Sequence, residues 1–448
     1  MLFLVGLAAA FPYRAPIHRS LDLTPGPGRS ERILIVKLAE GQSLTGDLAA
    51  LLDGATPLFT RPAEVLQADR RAFDPDGTLA DLSLYLRIVT PDPATLGHRL
   101  QADARIETAY LAFQAMPPPV DLSPTTPDFT DLQTYAGPAP VGFGFDEAGR
   151  WPGGDGANVS IADIEYGWDS EHEDLDHLTP GVAWGWDSGN YAYHGTAVLG
   201  QLAGGDNGYG VTGMAPEADV FVVSPYTDAG DYSVAAALDG AASLLDAGDV
   251  ILIEQQAYAF GNYVPVSADP AVFDAIAAAV AKGIVVVEAG GNGGQDLDDP
   301  QWEGWFDRSI RDSGAIMVGG GASPYSGMTP RAWYTWGSSY GSRIDVQGWY
   351  DSIVTTNDST MADLFLPGND DRQGYTSYFG GTSGASPMVA AAAAVANSVA
   401  WELWGTPWDP YDLRAALSAT GTPQPASDAY TIGPQPDLRR FLMTYGVR

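Results

Sequence analysis

No cysteine occurs in the 448 residues, so a disulfide framework, a thiolate metal centre and a cysteine nucleophile are all excluded. Lysine is confined to Lys37 and Lys282, and 56 acidic against 22 basic residues leave a formal net charge of -34 at pH 7. Such a surface repels nucleic acid and anionic membranes, stays dispersed where salt screens it, and favours cations. No nucleic-acid or membrane partner is expected. Charged residues make up 17% of the chain and hydrophobic ones 45%, which allows a large core and argues against disorder. The length exceeds one domain's usual share, so two folding units are expected.

Against these absences stand four short blocks rich in chemistry. Gly381-Thr382-Ser383-Gly384-Ala385-Ser386-Pro387 runs into Met388-Val389-Ala390-Ala391-Ala392, which sets a serine on a small-residue turn at the mouth of an Ala-rich helix. Free N–H groups and the positive helix end can stabilise an oxyanion there. The same pattern also suits an ordinary capped helix with proline in its first turn. Upstream, Tyr193-His194-Gly195-Thr196 places one of five histidines at a helix start. An imidazole with a pKa near ~6.5 takes a proton from a hydroxyl and returns it to a leaving group near neutral pH. Earlier still, residues 159–175 hold Asp163, Glu165, Asp169, His172 and Asp174. Finally, Ile284-Val285-Val286-Val287-Glu288-Ala289 is an apolar run ending in Gly290-Gly291-Asn292-Gly293-Gly294, as a buried parallel strand emptying into a site should look.

In this order the blocks resemble the subtilisin-like serine peptidases. Gly-Thr-Ser-x-Ala-Ser-Pro is similar to the family's serine motif, which puts Ser383 at the nucleophile position. His194-Gly195-Thr196 is similar to its histidine motif, and the turn at Asn292 to its oxyanion block. The acid block departs from the family. When Gly167, Asp169, His172, Asp174 and Leu175 are laid on Asp-x-Gly-x-Asp-x-x-His-x-Asp-Leu, the triad position falls on Glu165, where the family has Asp. The longer side chain keeps a carboxylate able to orient the imidazole, provided the backbone yields by about one methylene; displacements near ~1 Å can cost ~100-fold. Asp163, two residues earlier on the same strand face and roughly 6–7 Å back, is the rival. Two carboxylates that close would push one pKa upward.

The resemblance implies a subtilisin-like three-layer α/β fold with a mostly parallel central sheet. It implies an endopeptidase that cleaves protein or peptide substrates through an acyl-enzyme and needs no organic cofactor. Its catalytic residues would be Ser383, His194, Glu165 and Asn292. The Glu departure leaves open a non-catalytic pseudopeptidase that uses the fold for binding. A sedolisin-type acid peptidase, by contrast, replaces the histidine by glutamate, which His194 opposes. The loop 205–216 matches in length the family's calcium loop, implying structural Ca²⁺ with Asp174 and Asn207 as oxygen ligands. Glu254 and Glu288, at neighbouring strand ends, read either as an acidic subsite for a basic side chain or as hydrogen-bonded structural acids.

Residues 1–24 read as a signal-like leader and linker. Met1-Leu2-Phe3-Leu4-Val5-Gly6-Leu7-Ala8-Ala9-Ala10-Phe11 lacks a positive start and is too short to span a membrane, so export into the extracellular medium is expected. Residues 25–122 form a small α+β unit, with strands expected at 32–38, 82–89 and 105–111 and a helix at 94–100. That unit resembles the inhibitor propeptide that assists folding in many subtilisin-like peptidases. Met116-Pro117-Pro118-Pro119-Val120 and Ser123-Pro124-Thr125-Thr126-Pro127 read as an extended linker, and 123–448 is assigned to the peptidase-like domain, a monomer once matured. Within it Asp269-Pro270 starts a helix that Lys282-Gly283 ends.

Overall fold

The computed structural model describes residues 19–446 except 22, 25–28, 75, 114–124, 228, 260 and 336. The leader run 1–11 and most of the proline-rich linker therefore lie outside the described residues. By its contacts the chain divides into two compact units, Met1–Ser123 and Pro124–Arg448.

In the first unit the strands Arg29–Leu38, Tyr85–Val89 and Ile106–Phe113 form the centre of a five-stranded sheet, edged by Arg19–Ser20 and Thr56–Pro57. Alternate residues, among them Leu34, Val36, Leu86, Ile88, Ala109 and Leu111, make one core with Leu48 and Leu100 from the helices Gly46–Leu51 and Pro93–Gln101. The strand expected from residue 82 begins only at Tyr85. The Asp81 carboxylate accepts the Ser83 N–H at 2.9 Å, which winds Leu82–Leu84 into a 3-10 turn and leaves Leu82 exposed. A helix at Ala63–Phe73 buries little besides Leu66 and Arg70, so its apolar periodicity is too sparse to read from sequence.

The second unit is built on six parallel strands in the order Val346–Trp349, Ile316–Gly321, Val285–Ala289, Val250–Ile253, Ser160–Ile164 and Asp219–Val223. These strands are apolar on both faces because helices cover both. On one side Ile161, Val250, Leu252, Val285 and Val287 pack with residues of the helices Ala192–Ala203 and Thr382–Trp404. On the other, Ala162, Ile164, Ile251, Ile253 and Val286 pack with Val234–Leu244 and Pro270–Ala281. The result is a three-layer α/β arrangement with a parallel sheet in the middle. Asp269 caps the Pro270–Ala281 helix by accepting the Ala271 N–H at 2.8 Å, and Gly283 ends it at φ 88°, as the sequence predicts. Among the described residues no helix is long and apolar enough to cross a membrane.

Candidate active site

Ser383 stands in the first turn of the 23-residue helix Thr382–Trp404. Gly381, the residue before the helix, has φ 82° and ψ -179°, a conformation open essentially to glycine. That twist aims the helix start at the turn after the Val285–Ala289 strand. Asn292 on that turn accepts the Thr382 N–H at 2.9 Å and the Thr382 hydroxyl at 3.1 Å, and its own N–H donates to Gln256 Oε1 at 2.8 Å. Asn292 is thus oriented from both sides, with its amide oxygen occupied. Its Nδ2 and the Ser383 N–H have no protein acceptor among the described residues. Both residues line one open cavity of about 540 Å³, together with His194, Tyr334, Tyr350, Tyr378 and Phe379.

His194 lies in the first turn of the Ala192–Ala203 helix, against the edge of the Phe379 ring, with centroids 5.6 Å apart. Gly195 has a packing reason: a Cβ there would meet the Gly167 carbonyl oxygen at 2.4 Å and Glu165 Cγ at 3.4 Å. Thr196 ties the helix to the acid loop, accepting the Asp169 N–H at 2.9 Å and donating to the Ala192 carbonyl at 2.8 Å. Glu165 follows the Ser160–Ile164 strand directly and is wholly buried. Its Oε1 holds His194 Nδ1 in a short hydrogen bond, while Oε2 accepts the Tyr166 N–H at 3.1 Å. Burial pulls the imidazole pKa down, the Glu165 charge and hydrogen bond pull it up, and the net position is above the ordinary value. With Nδ1 engaged, Nε2 is left to face chemistry. Ser383 Oγ shares its cavity without a hydrogen bond between the two, and catalytic bonds of this kind commonly tighten only around a substrate.

Asp163, the rival acid, makes no hydrogen bond to His194; both its oxygens are buried without a donor. Period-two alternation puts it on the face of Ile161, as it does Glu165. Glu254 arrives on that face too, beyond Leu252 of the neighbouring strand, and one oxygen each from Asp163, Glu165 and Glu254 lie within 4.8 Å of one another. Glu288 does not join them. It pairs with Ile253 across the sheet and so shares that residue's opposite face, where it accepts the Ser267 N–H at 2.8 Å. Of the two readings of Glu254 and Glu288, the shared acidic subsite falls away, because the register sends the two carboxylates to opposite sides.

The expected calcium ligands also need correction. Asp174 and Asn207 do meet, but as a hydrogen-bonded pair: Asp174 Oδ1 accepts Asn207 Nδ2 at 2.8 Å and Oδ2 accepts the Val211 N–H at 2.7 Å. Asn207 Oδ1 is taken by the Tyr209 N–H at 3.1 Å. Burial raises the Asp174 carboxyl to about 7. A carboxyl with both oxygens bonded to N–H donors, beside an amide presenting its nitrogen, does not fit a Ca²⁺ ligand set. His172 is likewise structural: its Nε2 meets the Gly374 carbonyl at 2.8 Å, and burial lowers its pKa.

Several contributors escaped the sequence. Gln256 braces Asn292, Phe379 braces His194, and Tyr166 stacks on Tyr232 at 6.1 Å beside the acid. Only Phe379 carried a usable signal, through its place just ahead of Gly380-Gly381.

A serine at a helix mouth, a histidine held by a buried carboxylate and an amide at a parallel strand's carboxyl end define a class of α/β protein with a hydrolase-type site. The chain belongs to the subtilase family, whose model (Peptidase S8) matches residues 156–433. Subtilisin NAT of Bacillus subtilis subsp. natto is 30% identical over 273 residues, covering 60% of this chain and 61% of that protein. Subtilisin DY of Bacillus licheniformis is 30% identical over 273 residues, 60% of this chain and 85% of its own length. The chain thus spans about 61% of the length of subtilisin NAT. Among solved structures, a protease from Pseudoalteromonas arctica PAMC 21717 aligns over 71% of this chain and 99% of its own, with a TM-score of 0.52 and 21% identity. That likeness bears on the fold, a subtilisin-like one.

Proposed function

We propose that the chain is the precursor of a secreted serine endopeptidase in which Ser383, His194 and Glu165 form the triad. The observation that carries this reading is the convergence in one cavity of a carboxylate-held imidazole, a serine hydroxyl and two unpartnered N–H donors. Ser383 Oγ attacks the scissile carbonyl while His194 Nε2 takes its proton. Glu165 fixes the Nδ1–H tautomer and balances the imidazolium. Asn292 Nδ2 and the Ser383 N–H receive the oxyanion. His194 then protonates the leaving amine, and water, activated by the same imidazole, releases the acyl group. This sequence of steps requires no organic cofactor.

The cavity is open, and Tyr334, Tyr350, Tyr378 and Phe379 line it, which suits an extended protein or peptide segment rather than a chain end. The α+β unit before residue 123 acts as the propeptide, residues 123–448 as the peptidase, and the apolar start as the export signal. The matured enzyme works as a monomer. The test is turnover of denatured casein by the processed protein together with labelling by a fluorophosphonate. Loss of both in Ser383→Ala is expected. A parent protein that neither labels nor cleaves overturns the reading.

A further inference from the structure

Behind Glu165 lies a group of acids that the steps above do not use. Asp163 and Glu165 are wholly buried, and Glu254 is 5% exposed. All four carboxylate oxygens of Asp163 and Glu254 lack a donor. The neighbouring donors are already spent: Gln255 Nε2 donates to the Ile164 carbonyl at 2.5 Å, the Glu165 N–H to Val223 at 3.0 Å and the Tyr166 N–H to Glu165. No arginine or lysine among the described residues forms an ion pair with any of the three acids. The flanking strands offer Val222 and Leu252 opposite Asp163. The nucleophile helix brings no acidic or basic side chain between Thr382 and Ala400. The Ala192–Ala203 helix brings His194, Tyr193 and the buried Gln201, whose side-chain amide also has no partner among the described residues, and the phenols of Tyr166, Tyr226 and Tyr232 cluster on the Glu165 side.

Three carboxylates this close and this dry cannot all be ionised, and two that share a site ordinarily share a proton. We propose that Asp163 and Glu254 are positioning residues that keep a shared proton through neutral pH and so hold Glu165 against His194. A proton between them supplies a donor to two carboxyls that have none and removes one charge from behind the triad acid. Burial drives both carboxyls well above their ordinary range, and for each the charge of Glu165 adds to the rise. The raised value sets the sign: the stabilising effect is complete at low pH and disappears as pH rises through the folded-state pKa. When the proton leaves, three buried charges face one another and Glu165 loses its support. The site therefore carries its own alkaline limit.

This inference rests on the peptidase reading for its effect on turnover, but the proton itself is observable without turnover. In the inactive Ser383→Ala protein, side-chain carboxyl ¹³C shifts followed against pH should show Asp163 or Glu254 protonated at pH 7. Both ionised at that pH overturns the proposal. So does a displacement of these signals by added Ca²⁺ and its reversal by chelator, since a cation would then balance the charge. In the active protein, Asp163→Asn or Glu254→Gln replaces the shared proton by a non-titrating N–H. The alkaline midpoint of kcat/KM should then move up by about one pH unit or more, with neutral-pH kcat kept within about tenfold. Midpoints unmoved in both variants also overturn it. If one variant fails to fold, the other variant and the ¹³C titration still decide.

Discussion

The side-chain oxygen of Asn292 accepts two hydrogen bonds from Thr382, at 2.9 and 3.1 Å. The residue that would hold the oxyanion thereby also caps the helix carrying Ser383. One contact fixes the distance between the two donors, and the amide nitrogen remains for substrate.

Asn292→Ala should lower kcat by about 100–1000-fold with little change in KM, the size seen when one such donor is removed from a subtilisin. Asn292→Asp keeps the Thr382 contacts but loses the donor. It should therefore match or exceed the alanine loss in kcat while retaining more of the parent Tm. A loss confined to KM in either variant would mark Asn292 as a substrate contact only.

Glu165→Gln should cost on the order of 10⁴ in kcat near neutral pH, the loss known when the orienting carboxylate of a chymotrypsin-type triad is neutralised. Glu165→Asp draws the carboxylate back by about one methylene from His194 while the Tyr166 N–H still claims one oxygen, so about 100-fold should be lost. Asp163→Asn should cost far less than either. The opposite ranking, measured by kcat/KM, would transfer the triad role to Asp163.

Gly195→Ala places a methyl 2.4 Å from the Gly167 carbonyl oxygen and against Glu165 Cγ. Both neighbours are wedged between the sheet and the helix, so about 1–3 kcal/mol of stability should be lost. The displaced carboxylate should cost about tenfold or more in kcat. Thermal melts and steady-state kinetics on the same preparation check this; a variant with parental Tm and kcat contradicts the contact.

In the proposed triad His194 serves as base only when neutral, and the Glu165 contacts hold its pKa above the ordinary 6.5. The rise of kcat/KM with pH should have its midpoint above the free imidazole value of ~6.5. In Glu165→Gln only burial remains, so the residual activity should show a lower midpoint. Stability runs the other way: the raised pKa favours the native protein below ~6.5, and that contribution is lost as pH rises through the folded-state value. A midpoint that does not fall in Glu165→Gln would show that Glu165 does not set the base.

What could be read from the chain alone were features governed by near neighbours. The Gly381–Pro387 turn, the His194-Gly195-Thr196 start, the apolar run into Asn292 and the Asp269-Pro270 cap each depend on a few adjacent residues and on one backbone conformation. The buried strand at 285–289 was legible for the same reason, since a strand covered on both faces needs an unbroken apolar run; the parallel sheet as a whole was implied by the family resemblance. Tertiary structure alone decided which side chains those elements share. Whether Glu254 meets Glu288 or Asp163 turns on a one-residue offset between strands, and such an offset reverses the face to which a side chain points. Asp174 and Asn207 meet as acceptor and donor, and the Val211 N–H takes the second carboxylate oxygen. Register and competing donors belong to contacts between distant segments, and no local pattern in the sequence encodes them.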